Sequence, residues 1–127
     1  MVGTMTPGDY PLKLYRGDSY KWRFVVWADK DKTQPSDLTG AEAAAQIRDK
    51  PGGTLLMTLT CVIELPNVIN VSLAAGMWPV SVTKNASWDL ELTYPDGEVD
   101  TIIAGKVTIT IDVTNTTQEV VQLQAVS

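Results

Sequence analysis

Residues 87–113, SWDLELTYPDGEVDTIIAGKVTITIDV, are the stretch that decides the fold class of this chain. Large apolar residues alternate with polar ones over 87–94, which is the period of a β-strand with one buried face. Pro95-Asp96-Gly97 then supplies turn residues, and a second alternating run follows over 99–113. The stretch therefore predicts a β-hairpin with a long return strand.

The register of this hairpin is predicted from the positions of its apolar residues. A four-residue loop, 95–98, places Leu92 opposite Thr101 and Leu90 opposite Ile103, which keeps one face largely apolar. A three-residue loop would instead bring two acidic residues of the return strand onto that face. We therefore expect the four-residue loop.

The return strand is long for a small domain. Its run of about fifteen residues would measure roughly 50 Å if it were straight. We expect it to bend or to change sheets near Gly105, since glycine in a strand often marks such a point. This favours a two-sheet sandwich over one open sheet.

Other stretches of the chain also have strand periodicity: 10–15, 19–29, 41–49, 54–62 and 67–73. In a second predicted hairpin Ile47 faces Leu55, with Pro51-Gly52 at the centre of a type II turn. Residues 73–78 have room for one helical turn before Pro79, and for no longer helix. These signals predict an all-β fold, an antiparallel β-sandwich with at most one short helical turn.

The chain organisation follows from composition and pattern. The chain has 127 residues, which suits one domain with a single core. We expect a flexible N-terminal arm over 1–9, a β-sandwich domain over 10–114 and a C-terminal tail over 115–127. Val121 and Leu123 make the tail apolar enough to dock as an interaction strand, either within its own domain or on a neighbouring subunit.

Two further residues are candidates for a partner interface. Aromatic residues occupy one face of the strand predicted over 19–29. Val25 and Trp27 lie on the opposite face, which we expect to be exposed to solvent. Either a neighbouring loop covers them, or they contact another subunit, as exposed apolar residues often do. With Val121 and Leu123 they form the predicted partner interface.

Charge and hydropathy exclude several classes of function. The net charge of −5 and the pI near 4.5 argue against binding to nucleic acid or to an anionic membrane. The chain has no apolar run long enough for a membrane span, and its first residues do not match a signal peptide. We expect the protein to be made and kept in the cytoplasm, unless it leaves as part of a larger particle.

The chain is also poor in catalytic side chains. It has no histidine, and Cys61 therefore has no imidazole partner. There is no phosphate-binding glycine motif. We predict no catalytic, metal-binding or cofactor-binding residue, no small-molecule substrate and no enzyme activity.

Two surface features leave room for other interpretations. Four carboxylates are predicted on the wet face of the main hairpin, with Glu91 and Asp100 as diagonal neighbours: Asp89, Glu91, Glu98 and Asp100. An exposed strand face offers no water-excluding cleft, and we expect these groups to be solvated. Trp27 and Trp78 are candidates for a sugar-stacking platform, which keeps a carbohydrate-binding module open.

Several segments occur together in a characteristic order. They are LYRGDSYKW at 14–22, DLTGA at 37–41, AQIRDKPGGTLL at 45–56, WDLEL at 88–92, PDG at 95–97 and GKVTI at 105–109. The set resembles small structural proteins of tailed bacteriophages, related to the N-terminal β-sandwich domain of upper baseplate and tail-fibre attachment proteins. The resemblance covers residues 12–113, and this chain ends sooner after the sandwich than the longer members do.

The resemblance implies an immunoglobulin-like β-sandwich without catalysis, which holds other virion proteins together. We therefore expect a non-enzymatic virion structural protein, a tail, baseplate or fibre-connecting component assembled in the host cytoplasm. Its partners would be other phage structural proteins and copies of itself within the virion. A capsid decoration (cement) protein and a carbohydrate-binding module are the alternatives, and the sequence does not choose between tail and head.

Overall fold

The computed structural model describes residues 8–29, 31–79, 84–110 and 117–124, the last of these for the backbone only. Nine strands account for most of them: β1 (Gly8–Asp9), β2 (Leu12–Tyr15), β3 (Tyr20–Trp27), β4 (Glu42–Arg48), β5 (Leu55–Glu64), β6 (Val68–Leu73), β7 (Asn85–Thr93), β8 (Val99–Thr110) and β9 (Thr117–Gln124). One short 3₁₀ turn, Ala75–Met77, follows β6. The described part of the chain has no helix long and apolar enough to cross a membrane.

The strands join into one curled sheet with the shape of a half-barrel. Its order is β1-β8-β7-β4-β5-β6-β3-β9, and β2 also pairs with β8. The inner pairs are antiparallel, whereas β1 and β2 run parallel to β8, and β9 runs parallel to β3. The all-β class, with one short helical turn among the described residues, is confirmed at this level.

The curl is centred on β5, which is shared between two halves of the sheet. Its first half pairs with β4, as far as Leu59 opposite Ala45, and its second half, from Thr60 to Glu64, pairs with β6. The curl brings the aromatic rings of β3 against the other half of the sheet. The ring centroids of Phe24 and Trp88 lie 6.0 Å apart.

The enclosed side of the sheet forms one apolar core. The alternation predicted for β3 is confirmed, since its inward side chains are all buried: Tyr20, Trp22, Phe24 and Val26. The odd-numbered apolar residues of β6 are buried too. Each large side chain removed from water contributes about 1.5–3 kcal/mol, so the core accounts for the fold without a disulfide.

The loop of the main hairpin differs from the prediction. Thr93 lies opposite Val99, and the Tyr94 amide donates to the Glu98 carbonyl at 2.8 Å, so the loop is the three-residue 95–97. Gly97 has φ +92°, which glycine adopts without steric cost. The predicted four-residue loop is wrong.

A bulge explains why the apolar pattern misled the prediction. Opposite β7, the partner of Glu91 is Thr101, but the partner of Leu90 is Ile103, so Ile102 is an extra residue in β8. The bulge restores the predicted pair of Leu90 and Ile103. The predicted register assumed a ladder without such an insertion.

The second hairpin is also shifted from its predicted register. Ile47 faces Met57 and Arg48 faces Leu55, with an irregularity between Ile47 and Arg48. The loop is closed by two hydrogen bonds between the same residues: the Asp49 carboxylate accepts from the Thr54 amide at 2.8 Å, and the Asp49 amide donates to the Thr54 carbonyl at 3.0 Å. The predicted turn centre is supported: Gly52 has φ +71°, and the Gly53 amide donates to the Lys50 carbonyl at 2.8 Å.

The N-terminal strands show what Gly105 does. Gly8 pairs with Ile103 and Leu12 with Val107, so β1 and β2 follow one register along β8 and are interrupted at Tyr10-Pro11. β8 itself stays beside β7 as far as Thr108, so the predicted change of sheets near Gly105 does not occur. Gly8–Asp9, which belongs to the predicted arm over 1–9, is strand; residues 1–7 of that arm and residues 111–113 of the predicted return strand lie outside the described residues.

The C-terminal tail contains a strand of this sheet. The backbone of β9 pairs with the whole of β3, from Thr117 opposite Tyr20 to Gln124 opposite Trp27. Of the two predicted positions for the tail, the structure shows pairing within the chain's own domain. β9 is thereby the outermost strand beyond β3.

Candidate functional site

The predicted interface on β3 is less exposed than expected. Val25 has only 9 % of its surface exposed, and its strand lies between β6 and β9, where Val68 and Gln122 face it. Trp27 is half-buried and forms a bridge with Pro35. Val25 is therefore not the exposed apolar residue that the sequence predicts, because β9 and β6 flank it on both sides.

Val121 and Leu123, the predicted interface residues of the tail, lie on the strand next to β3. The backbone of Val121 faces that of Phe24, and the backbone of Leu123 faces that of Val26. The four predicted interface residues thus lie on two adjacent strands, but the partners of Val25 and Trp27 across the pair are Gln122 and Gln124, not Val121 and Leu123.

The two tryptophans proposed as a sugar platform are far apart. The Trp78 indole donates to the carbonyl of Asp18 at 2.8 Å, just before β3 begins, whereas Trp27 is the last residue of β3. An eight-residue strand spans about 25 Å. The two rings therefore do not form one stacking surface.

The carboxylates of the main hairpin are divided between two faces. Asp100 lies opposite the buried Leu92, whereas Glu91 lies on the other face, so the predicted diagonal pair is wrong. Asp100 Oδ2 is buried and has no hydrogen-bond partner among the described residues. Burial, then the charges of Asp100 and Glu98, raise the pKa of Tyr94.

Cys61 lies in a cleft where β4 and β5 part. The cleft has a volume of about 510 Å³ and is lined mainly by small or apolar side chains from 41–44 and 61–63. Burial raises the pKa of the Cys61 thiol to about 11, and a hydrogen bond from the Ala45 backbone acts in the opposite direction. A thiol with this pKa is a poor nucleophile at neutral pH. Within the described residues, no group of three His, Cys, Asp or Glu side chains could hold a metal ion.

A groove of about 950 Å³ lies on the outer face of β4, β7 and β8. Its floor is built from rows of directly opposed residues, whose side chains project to the same side of the sheet. The basic row runs across the three strands and consists of Lys106, Ser87 and Arg48. The acidic row lies beside it and consists of Asp9, Ala104, Asp89 and Gln46.

The Arg48 side chain is held in place across the floor of the groove. Its Nη1 donates to the Gly53 carbonyl and its Nη2 to Gln46 Oε1, both at 2.8 Å. Asp89, in the neighbouring row, accepts no hydrogen bond from the described residues. Burial raises the pKa of Asp89, and the Arg48 charge partly offsets that effect.

Charged side chains give this groove the means to bind a ligand through hydrogen bonds and ion pairs. Basic and acidic side chains surround Ser87, and the chain has no histidine. Sequence reasoning treated Asp89 and Glu91 as a solvated face and missed Arg48 and Lys106. Only the alternation of polar and apolar residues marked Arg48 and Lys106 as outward-facing. The rows themselves depend on pairing between strands that are distant in sequence.

Comparisons with known proteins add no relative: no protein-family model matches this chain, and no curated protein matches it.

Proposed function

We propose that this chain is a non-enzymatic structural protein of a tailed-phage virion. In this role it is a tail, baseplate or fibre-connecting component that works through protein–protein contacts. It assembles in the host cytoplasm with other phage structural proteins and with copies of itself. The ordered segments that resemble baseplate and fibre-attachment domains support this, and the structure carries them on strands and turns of one domain.

We also propose that the curled sheet acts as a two-layer β-sandwich of the immunoglobulin-like type. The division of β5 between β4 and β6 supports two layers, since each half of that strand serves a different part of the sheet. Contacts between the halves support it as well: Phe24 of β3 packs against Trp88 of β7, and its ring meets the Tyr10 ring edge-on at 5.8 Å. A two-layer domain of this kind is a rigid support for surface contacts.

The observation that carries the assembly role is the position of β1, β2 and β9 in the sheet. β1 and β2 lie at one end of the strand order, beside β8, and β9 lies at the other end, beside β3. Among the described residues, each of these outer strands pairs with a neighbouring strand along one of its two edges only. An outer strand offers backbone groups to a strand of a neighbouring protein, which is a common mode of assembly.

The chemistry of the described residues fits a role without turnover. The carboxylates predicted as a pair lie on opposite faces of the main hairpin, and the Cys61 thiol has a raised pKa.

Localisation on phage particles tests this proposal. Particles induced from the genome that encodes the chain would be purified and labelled with a gold-conjugated antibody against the recombinant protein. We expect gold at the tail or baseplate and the protein among the particle components identified by mass spectrometry. Gold over the head would indicate a decoration protein instead, and the absence of the protein from purified particles would overturn the proposal.

A further inference from the structure

We propose that the groove over the basic and acidic rows binds an extended protein segment in which an acidic and a basic side chain are separated by one residue. The acidic side chain would lie over Lys106, Ser87 and Arg48. The basic side chain would lie over Asp9 and Asp89. The groove would bind such a segment whether or not the chain belongs to a virion.

The spacing of the two rows is the first reason. Ser87 and Asp89 are two residues apart on β7, and so are Ala104 and Lys106 on β8. Two residues of a strand rise by about 6.6 Å. Side chains at positions i and i+2 of an extended peptide lie on one side and are separated by the same distance. A segment lying along β7 therefore brings each of its charges over the row of opposite charge.

The shape of the groove is the second reason. The middle of its floor is formed by small residues, Ser87 and Ala104, while longer charged side chains stand around them. The loop that contains Lys50, Pro51 and Gly52 forms one wall, and Asp9 of β1 contributes on the opposite side. This leaves a channel for a peptide between long side chains rather than a flat sheet surface.

The availability of the charged groups is the third reason. The hydrogen bonds from Arg48 to Gly53 and Gln46 use two of the five N–H donors of a guanidinium, so donors remain for an anion. Among the described residues the ion pair is Arg23–Glu64, which lies away from this groove, on β3 and β5. Among the described residues no ion pair therefore joins the two rows at contact distance, and a ligand of complementary charge would form such pairs with both rows.

Peptide titration of the full chain tests the proposal. The ¹⁵N-labelled protein would be titrated with the blocked pentapeptide Thr-Glu-Thr-Lys-Thr, followed by amide NMR shifts. Three matched peptides replace Glu, Lys or both by Gln. We expect the doubly charged peptide to shift the amides of Arg48, Ser87, Asp89 and Lys106. Each lost charge should weaken binding about two- to fivefold, as for a partly exposed ion pair.

Two variants locate the contacts. Lys106→Glu should weaken binding of the doubly charged peptide by severalfold, because it places a like charge beside the peptide's Glu. Lys21→Glu is the matched control, since it makes the same change of charge on β3, outside the groove, and should leave binding unchanged. Raising the salt concentration should weaken the wild-type complex.

The peptide series on the unaltered protein decides the outcome even if a variant fails to fold. Binding would have to require both charges and to shift groove amides. Three results would each overturn the proposal. They are binding of the singly charged peptides as tight as that of the doubly charged one, shifts confined to another surface, and no shift with any peptide up to millimolar concentration.

Discussion

The carbonyl oxygen of Tyr10 lies directly beside Gly105, so that a methyl group added at Gly105 would come within 2.5 Å of that oxygen. The contact lies at the interruption between β1 and β2, where Pro11 has no amide to give to the ladder. On the same side the Trp88 indole donates to the Tyr10 carbonyl at 2.8 Å. Gly105 thus permits the close approach of the N-terminal segment to β8.

Gly105→Ala should destabilise the protein by about 1–3 kcal/mol, because the Tyr10 backbone has to move away from the added methyl group. Urea unfolding monitored by tryptophan fluorescence measures this. Gly76→Ala is the matched control: no atom lies within 4 Å of the added methyl group, and little change is expected. Equal stability of the two variants would contradict the close approach.

Leu92→Ala should cost about 2–5 kcal/mol, as a truncation of a fully buried leucine in a packed core. Val62→Ala on β5 is the control, since Val62 is 57 % exposed and its truncation should change stability by less than about 0.5 kcal/mol. A near-neutral Leu92→Ala would mean that the inward face of β7 has been assigned to the wrong side.

The free energy of unfolding should fall as the pH rises between two pKa values of the Cys61 thiol, that of the unfolded chain and that of the folded protein. The thiol ionises near 9.0 in the unfolded chain, whereas burial raises its folded pKa to about 11. The stabilisation that the thiol contributes is therefore fully present below pH 9. It is lost as the pH rises towards 11, because the thiol loses its proton first in the unfolded state. Cys61→Ala should flatten the decline between these values in urea unfolding series. An identical decline in both proteins would show that other groups cause it.

Deleting residues 116–127 should lower the stability, because it removes β9 and uncovers the backbone of β3 from Tyr20 to Trp27. Denaturant unfolding of the truncated chain measures the loss. A synthetic peptide of residues 116–127, added to the truncated protein, should restore stability in a concentration-dependent way. A peptide of the same composition in scrambled order is the control. Unchanged stability after the deletion would show that β9 adds nothing to the folded domain.

Local pattern identified the strands well. The alternation of β7 and of most of β3 and β6 predicted which residues are buried, because a strand exposes successive side chains to opposite environments, but Val25 and Val68 are buried against that pattern. The turn at Pro51-Gly52 was predictable too, since it depends on the conformations of adjacent residues.

Register was harder to predict, for a physical reason. In the main hairpin the three-residue loop places Asp100 opposite Leu92. The bulge at Ile102 then restores the predicted pair of Leu90 and Ile103. A bulge costs little and leaves the apolar pattern almost intact. Pattern matching therefore favours an uninterrupted ladder that the chain does not form.

The all-β class, most of the strands and the scarcity of catalytic side chains can be predicted from residue type and from a spacing of two. Three features follow from the three-dimensional arrangement alone: the parallel pairing of β2 and β9, the division of β5, and the rows that place Arg48, Ser87 and Lys106 side by side. Those features join strands that are distant along the chain. They are set by the competition among whole-sheet arrangements for burial and backbone pairing, which local periodicity does not record.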